Sequence, residues 1–209
     1  MVNVEGDAGR RAPGRPVDPE IETRVFKAVR EVYTETGWAG FSVHAVATRA
    51  HVGKAAIYKR WLSKEDLIVA AIMSIESRPP VDRGSLREDL IWIVQGELGE
   101  YLTPAGLVRL RAQVEAKVYP ELFGAAMERF RRLRNNGGRV VINNAIARGE
   151  LSETADGIIL LDAIGGMTLN HFLATPTYAQ RALERDSRRF AESVVDFALA
   201  AVAAGKKSG

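Results

Sequence analysis

The chain has 209 residues, 46% of them apolar and 26% charged, a composition ordinary for a soluble globular protein and contrary to global disorder. It has no cysteine, which excludes disulfides, thiolate nucleophiles and cysteine-ligated zinc or iron–sulfur sites; three histidines, His44, His51 and His171, are too few for a His-rich metal centre. The net charge of +3 is mild but uneven: residues 1–64 carry 11 basic and 7 acidic side chains, residues 65–209 carry 18 and 19.

Residues 1–16 are rich in Gly, Pro and Arg and lack periodicity, so they read as a mobile basic arm without the apolar core of a secretory signal. Asp18 and Pro19 suit a helix start, with Glu20 and Glu22 in the first turn. Val25, Phe26, Val29, Val32 and Tyr33 recur at helical spacing, and Gly37 ends the helix. Ser42 caps a short second helix carrying Val43, Val46, Ala47 and Ala50, and His51-Val52-Gly53 separates it from a third, Lys54 to about Trp61. Ser63 caps a fourth helix with Leu67, Ile68, Ala71 and Ile72 as its apolar residues.

The run Arg78-Pro79-Pro80-Val81-Asp82-Arg83-Gly84 is the expected domain seam. Beyond it, Leu86, Leu90, Ile93/Val94, Leu98 and Tyr101/Leu102 mark a fifth helix, and Leu107–Val118 a sixth. Pro120 opens a long seventh helix to about Gly149, where Asn135-Asn136-Gly137-Gly138 is a sequence that could kink or break it. Two more helices follow, about Thr154–Leu173 and Tyr178–Ala204. No segment alternates with the period of a strand, so the expected fold is all-α: an N-terminal three-helix helix-turn-helix domain and a C-terminal helical bundle, about nine helices in total. No apolar run is expected to reach the roughly 18–20 residues of a membrane span. Asp162 and Asp196 interrupt the two best candidates, and the chain reads as cytoplasmic with no membrane partner.

The segment SVHAVATRAHVGKAAIYKRW, residues 42–61, holds the functional signal. Two short helices crossing through a tight turn, with Ala47 at the crossing, Val52 plugging the turn and Ile57 anchoring the second helix, are what a helix-turn-helix requires. Between Ser42 and Lys64 the bases Arg49, Lys54, Lys59, Arg60 and Lys64 occur with no acid among them. Lys54 lies at the start of the recognition helix, Tyr58 and Lys59 one turn later, and Lys64 at the head of the next helix, placed to hold a phosphate. A small bundle with ordinary surface lysines is the alternative. Arg15, nearest the folded part among the arm's arginines, is a candidate for an adjacent minor groove, against a merely solvating tail.

Phe41-Ser42, the following VHAVATRAHVGKAAIYKRW and Ser63-Lys64-Glu65-Asp66-Leu67 resemble the N-terminal domain of tetracycline-repressor-like (TetR/AcrR) transcriptional regulators over about residues 19–72. A long helix ending Ala147-Arg148-Gly149-Glu150-Leu151 is similar in the same sense. The resemblance implies DNA roles for Ser42, Lys54, Ala55, Tyr58, Lys59 and Lys64 and a packing role for Trp61. The chain departs from the family at His51, where Gly is usual, and at Gly53, where Ser or Thr is frequent. His51 would have to adopt the left-handed turn conformation, and Gly53 forgoes a capping hydroxyl.

The implied organisation is residues 1–16 as the arm, 17–64 as the DNA-binding domain, 65–80 as connecting helix and linker, and 81–209 as a ligand-binding and dimerisation domain. The resemblance implies a homodimer through the last two helices, whose Ile158, Leu161, Ile164, Met167, Val194, Phe197 and Ala198 otherwise fill a single-chain core. Close helix approach would offset the roughly 1 kcal/mol that each of Gly165 and Gly166 costs its helix. Candidate ligand contacts are Trp92, Phe123, Met127, Phe130, Met167 and His171, each also suited to an ordinary core.

The expected function is a repressor that binds a near-palindromic operator as double-stranded DNA and leaves it on binding a small apolar or amphipathic effector. No cofactor and no catalytic residue are expected, since the sequence lacks the nucleophile-elbow, phosphate-loop, dinucleotide and H-E-x-x-H patterns. A regulator of this kind controlled by a protein partner is the first alternative, and an all-α enzyme the second.

Overall fold

Five helices of this chain begin where a short polar side chain accepts from backbone N–H groups that lack an intrahelical partner. Ser42 Oγ accepts from Ala45 N–H at 3.2 Å, Ser63 Oγ from Asp66 N–H at 3.0 Å and Thr103 Oγ1 from Gly106 N–H at 3.0 Å. Ser85 and Asp156 cap in the same way. The computed structural model describes residues 20–76, 79 and 82–205, and among these the chain is all-helical, with no strand. The ten helices are α1 (Ile21–Gly40), α2 (Val43–Ala50), α3 (Lys54–Tyr58), α4 (Lys64–Met73), α5 (Leu86–Tyr101), α6 (Pro104–Glu115), α7 (Pro120–Ala147), α8 (Gly157–Ala174), α9 (Gln180–Arg185) and α10 (Ser187–Gly205).

Five features depart from the sequence expectation. The sixth helix runs Pro104–Glu115 rather than Leu107–Val118, because Thr103 caps it and Pro104 stands in its first turn. The run Asn135–Gly138 does not break α7, because Gly138 faces α8: a β-carbon there would lie 2.5 Å from Leu161 Cδ1, so the missing side chain admits a close helix crossing. The last predicted helix divides into a 3-10 turn at Thr177–Ala179, α9 and α10. The chain bends at Asp186 (φ −97°, ψ 9°) and sends Leu183 into a small cluster with Leu98 and Phe172. The third helix ends at Tyr58 rather than near Trp61, and α8 begins at Gly157 because Asp156, not a residue near Thr154, is its cap. The expected stop at Gly37 is present inside α1, with φ +64°, a conformation that glycine adopts without penalty.

A further correction concerns α8. Its 18 residues contain one carboxylate, Asp162, too little to interrupt the run, and α8 is long and apolar enough by composition to cross a membrane.

The apolar stripes of α1 to α4 close on a core of Val25, Phe26, Val29, Val46, Ile57, Leu67 and Ile72, with the Phe26 and Trp61 rings 5.4 Å apart. Val108 and Ala112 of α6 and Phe123 and Phe130 of α7 belong to that same core. Val108, Phe123 and Phe130 each contribute about 1.5–3 kcal/mol relative to exposure, so α6 and α7 are docked firmly on the first four helices. A second core joins Leu90, Ile91 and Val94 of α5 to Val141 of α7, Ile164 of α8 and Ala191 and Val195 of α10.

The end of α7 is tied to the start of α5 by charge. Asp89 is 1% exposed, and its carboxylate accepts from the Arg83 N–H at 2.7 Å and from Arg148 Nη2 at 3.1 Å. Glu150 accepts from the Leu86 N–H, and Leu151 is buried. The segment from Ala147 to Leu151 is thus a structural clasp between two helices.

Candidate nucleic-acid interface

The turn between α2 and α3 is set by backbone hydrogen bonds. His51 N–H donates to Thr48 O at 3.3 Å and Val52 N–H to Ala47 O at 3.0 Å, the two-bond pattern of a Schellman turn. His51 supplies the left-handed residue (φ 55°, ψ 45°), the position where glycine usually stands. Val52 is half-buried against the core, and Ile57 fixes α3 from below with 1% exposure. This geometry leaves one face of α3 outside.

Lys54, Ala55, Tyr58 and Lys59 all lie on that outer face, and Ser42 at the start of α2 is exposed as well. Tyr58 keeps 48% of its surface, and Leu62, which the sequence reading did not single out, keeps 86%. His44 and Thr48 are also exposed on α2, and Thr48 Oγ1 donates to His44 O at 3.0 Å. Gly53 begins α3 without a side-chain cap, and no atom would touch a β-carbon placed on it.

The basic residues of this segment do not act as one group. Arg49 turns back to α1 and donates two hydrogen bonds to Glu35, at 2.7 and 2.9 Å, with Glu31 4.0 Å from its Nε. The Arg49 hydrogen bond holds the Glu35 carboxyl below its usual range. Arg60 Nη1 donates to Ala56 O at 3.2 Å. Lys64 is half-buried, with its Nζ 4.1 Å from the centre of the Trp38 ring, a cation–π contact across to the end of α1. Lys54, and Lys59 directly after the end of α3, are left as the outward cations of this segment. Arg15 lies outside the described residues.

Behind this face, α6 holds the end of α1 through a polar bridge that the sequence reading missed. Tyr33 Oη donates to Glu115 Oε2 at 2.7 Å, the Trp38 N–H donates to the same carboxylate, and Arg111 Nη1 donates to Thr34 O at 2.9 Å. A β-carbon at Gly37 would lie 2.1 Å from Arg111 Nη2, so the glycine makes room for this guanidinium. Arg109 Nη2 donates to Glu76 O at 3.1 Å beyond the end of α4, and its Nη1 pairs with Glu100.

The six candidate ligand contacts fall in different places. Phe123, Met127 and Phe130 pack in the core beneath α1 to α4, where the Phe123 ring centre is 6.0 Å from those of Tyr33 and Trp38. Trp92 is half-buried on α5, with Arg83 over its ring at 5.6 Å. Met167 lines a groove of about 390 Å³ between α8 and α10, with Ile159, Ala163, Phe197 and Ala201. His171 stacks on Phe190, ring centres 4.0 Å apart, beside a separate cavity of about 400 Å³ lined also by Asp186 and Arg189. Ile158, Ile159, Leu173 and Phe197 form an exposed apolar face on α8 and α10, whereas Val194, Val195 and Ala198 are buried within the protomer. Gly165 and Gly166 make no close helix approach inside the protomer: a β-carbon on Gly166 would touch nothing.

Two family models match the chain: bacterial regulatory proteins of the tetR family over residues 25–71, and a tetracycline-repressor-like C-terminal domain over residues 80–198. A protein of Mycobacteroides abscessus described as the DNA-binding transcriptional repressor TetR is 30% identical over 158 residues, spanning 68% of this chain and 76% of the relative. An uncharacterised helix-turn-helix-type regulator of Mycobacterium tuberculosis is 29% identical, spanning 73% and 78%. Among solved structures, Salmonella enterica GusR superposes with a TM-score of 0.68 at 17% identity, covering 88% of this chain and 98% of its own. Bacillus subtilis FadR in complex with stearoyl-CoA superposes with a TM-score of 0.63 at 16% identity, covering 85% and 97%.

Proposed function

The chain belongs to the TetR family of helix-turn-helix transcriptional regulators, and from that premise we propose that it is a homodimeric repressor released from its operator by a small amphipathic effector. The observation that carries this reading is the outer face of α3, where Lys54, Ala55, Tyr58 and Lys59 stand together on a helix anchored from behind by Ile57. Side chains so arranged reach base edges in a major groove, while Ser42, Lys64 and the arm residue Arg15 serve phosphates and an adjacent minor groove.

One such helix reads only a few base pairs, so two copies related by a two-fold axis are needed for a specific, near-palindromic site. The exposed apolar face of α8 and α10 supports a second copy as its occupant. Ile158, Ile159 and Phe197 are too large and too adjacent to be left in water. The same occupant accounts for the apolar excess of α8 without a membrane. A DNA-binding dimer of this kind works in the cytoplasm and carries no catalytic residue.

Effector binding acts as a population shift: the ligand moves the dimer away from operator spacing only by its differential affinity for the two conformations. The α6 contacts, Arg109 on Glu76 and Glu115 on Tyr33 and Trp38, supply the lever between the ligand domain and the ends of α4 and α1. A relative of this fold has been seen with stearoyl-CoA, which supports a small-molecule input over a protein partner.

The test is a mobility shift with the DNA immediately upstream of this protein's own gene, at several salt concentrations, backed by selection from random DNA. Saturable nanomolar binding that resists competitor DNA is the expected result. Weak, salt-erased binding to every sequence in both arms would overturn the reading.

A further inference from the structure

On α5, Glu97 follows Val94 by three residues and precedes Leu98 and Tyr101, which puts a carboxylate on the apolar side of the helix. Its Oε2 is buried and has no hydrogen-bond partner. Buried carboxylates are almost always paired, and an unpaired one is costly enough that its retention asks for a use. Across from it stands Gly165 of α8, where a β-carbon would meet Glu97 Oε2 at 3.7 Å and no other atom within contact range. One helical turn further along α5, the Tyr101 ring lies 5.2 Å from Phe172 of α8. The Glu97 carboxylate thus lies at the seam of α5 and α8, facing a glycine and one turn from an aromatic pair that packs with Leu98 and Leu183.

The charges around this seam leave Glu97 Oε2 without a hydrogen-bonded partner. Glu100 is engaged by Arg109, whose guanidinium also lies over the Phe130 ring at 4.8 Å. Arg134 of α7 acts on Glu97 only from a distance; it is exposed and reaches Asp162 of α8 at 3.8 Å. Burial raises the Glu97 carboxyl above its usual range, with Arg134 opposing and Glu100 adding to the shift. A cation brought to the carboxylate would supply the missing partner and reverse that burden.

We propose that Glu97 anchors the effector and that the effector is an amphipathic amine, its ammonium on the Glu97 carboxylate and its apolar body against Tyr101 and Phe172. The assignment rests on the effector-released repressor reading and gives that site its chemistry. It also separates this chain from regulators whose effectors are anions, because a carboxylate at this seam repels an acid as strongly as it draws an amine.

The experiment uses the full chain and two dansyl probes that share one ring system: dansylcadaverine, with a primary ammonium, and dansyl-6-aminohexanoate, with a carboxylate. Fluorescence titration is expected to give saturable binding of the amine, at least about tenfold tighter than the acid. Glu97→Gln is expected to weaken the amine by about tenfold or more while leaving the melting temperature undiminished and operator binding without probe unchanged. If Glu97→Gln fails to fold, Glu97→Asp takes its place, with a smaller loss of the amine expected because the charge is kept. Preference for the acid, equal amine affinity in wild type and variant, or no saturable amine binding would each overturn the proposal. Loss of operator binding by the wild-type protein would instead strike the repressor reading, which the probe titration leaves untouched.

Discussion

The Tyr33 hydroxyl donates a 2.7 Å hydrogen bond to the Glu115 carboxylate and thereby joins α1 to α6. The same carboxylate accepts from the Trp38 N–H, immediately after the left-handed residue Gly37. Trp38 in turn carries the Lys64 ammonium on its ring, so a shift in α6 is felt at the head of α4 through two consecutive contacts, Glu115 to Trp38 and Trp38 to Lys64. Tyr33→Phe removes one hydrogen bond to a charged group and is expected to cost about 1.5–3 kcal/mol in urea unfolding. Glu115→Gln should cost a similar amount, and a double-mutant cycle between the two should show coupling of at least about 0.5 kcal/mol. Additive losses would mean that Tyr33 and Glu115 are neighbours without a joint role.

Much of this architecture was legible in the sequence, for physical reasons. Ser42, Ser63 and the Gly37 stop act locally, through bonds to residues within one turn, so their signal needs no tertiary context. The outer face of α3 was readable because Ile57 fixes which side of a five-residue helix is inside. What the sequence could not carry was the partner of each polar side chain. Arg49 stood in the acid-free basic run from Ser42 to Lys64 and is bound to Glu35, 14 residues away. Phe123 and Met167 looked like lining for one pocket and sit in separate cores, because the helical stripe does not say which neighbour it meets. Glu97 did leave a trace, a charge on the apolar stripe between Val94 and Leu98.

The second prediction concerns the recognition helix. Tyr58→Ala and Lys59→Ala remove exposed side chains, so they should leave the melting temperature within about 1–2 °C of wild type. Each should weaken operator binding, with Lys59→Ala at a phosphate lowering the salt dependence by about one unit of slope. Gly53→Ser should act in the opposite direction: open space surrounds Gly53, and a serine there gains a helix cap worth a few tenths of a kcal/mol. Unchanged DNA affinity in both alanine variants would remove α3 from the interface.

The third prediction separates the dimer face from the core. Phe197 is 67% exposed and Ala198 is 4% exposed, although they are adjacent in the sequence. Phe197→Glu should yield a folded monomer by light scattering, with the single-chain core intact. Ala198→Glu places an unpaired charge against Ala191 and Val195 and should cost several kcal/mol of stability whatever the oligomeric state. A Phe197→Glu protein that remains dimeric would move the interface away from α8 and α10.

The fourth prediction follows from the sign of the Glu97 shift. Burial raises the carboxyl of the folded protein above its ordinary 4.5, so the native state holds this proton more tightly than the unfolded chain. Its contribution is therefore most favourable below the unfolded value and is lost as pH rises through the folded value. The paired carboxylates Glu35 and Glu150 are shifted the other way, by Arg49 and Arg148, and they give stability that disappears in acid. The two effects overlap in the wild-type protein, but they part in a comparison with Glu97→Gln, which keeps every other pair. The variant should melt above wild type at pH 7, and the gap should close as the pH falls toward 4. A gap that widens in acid, or a variant less stable at neutral pH, would mean that the Glu97 charge is stabilised by its surroundings. It would then have no need of a ligand.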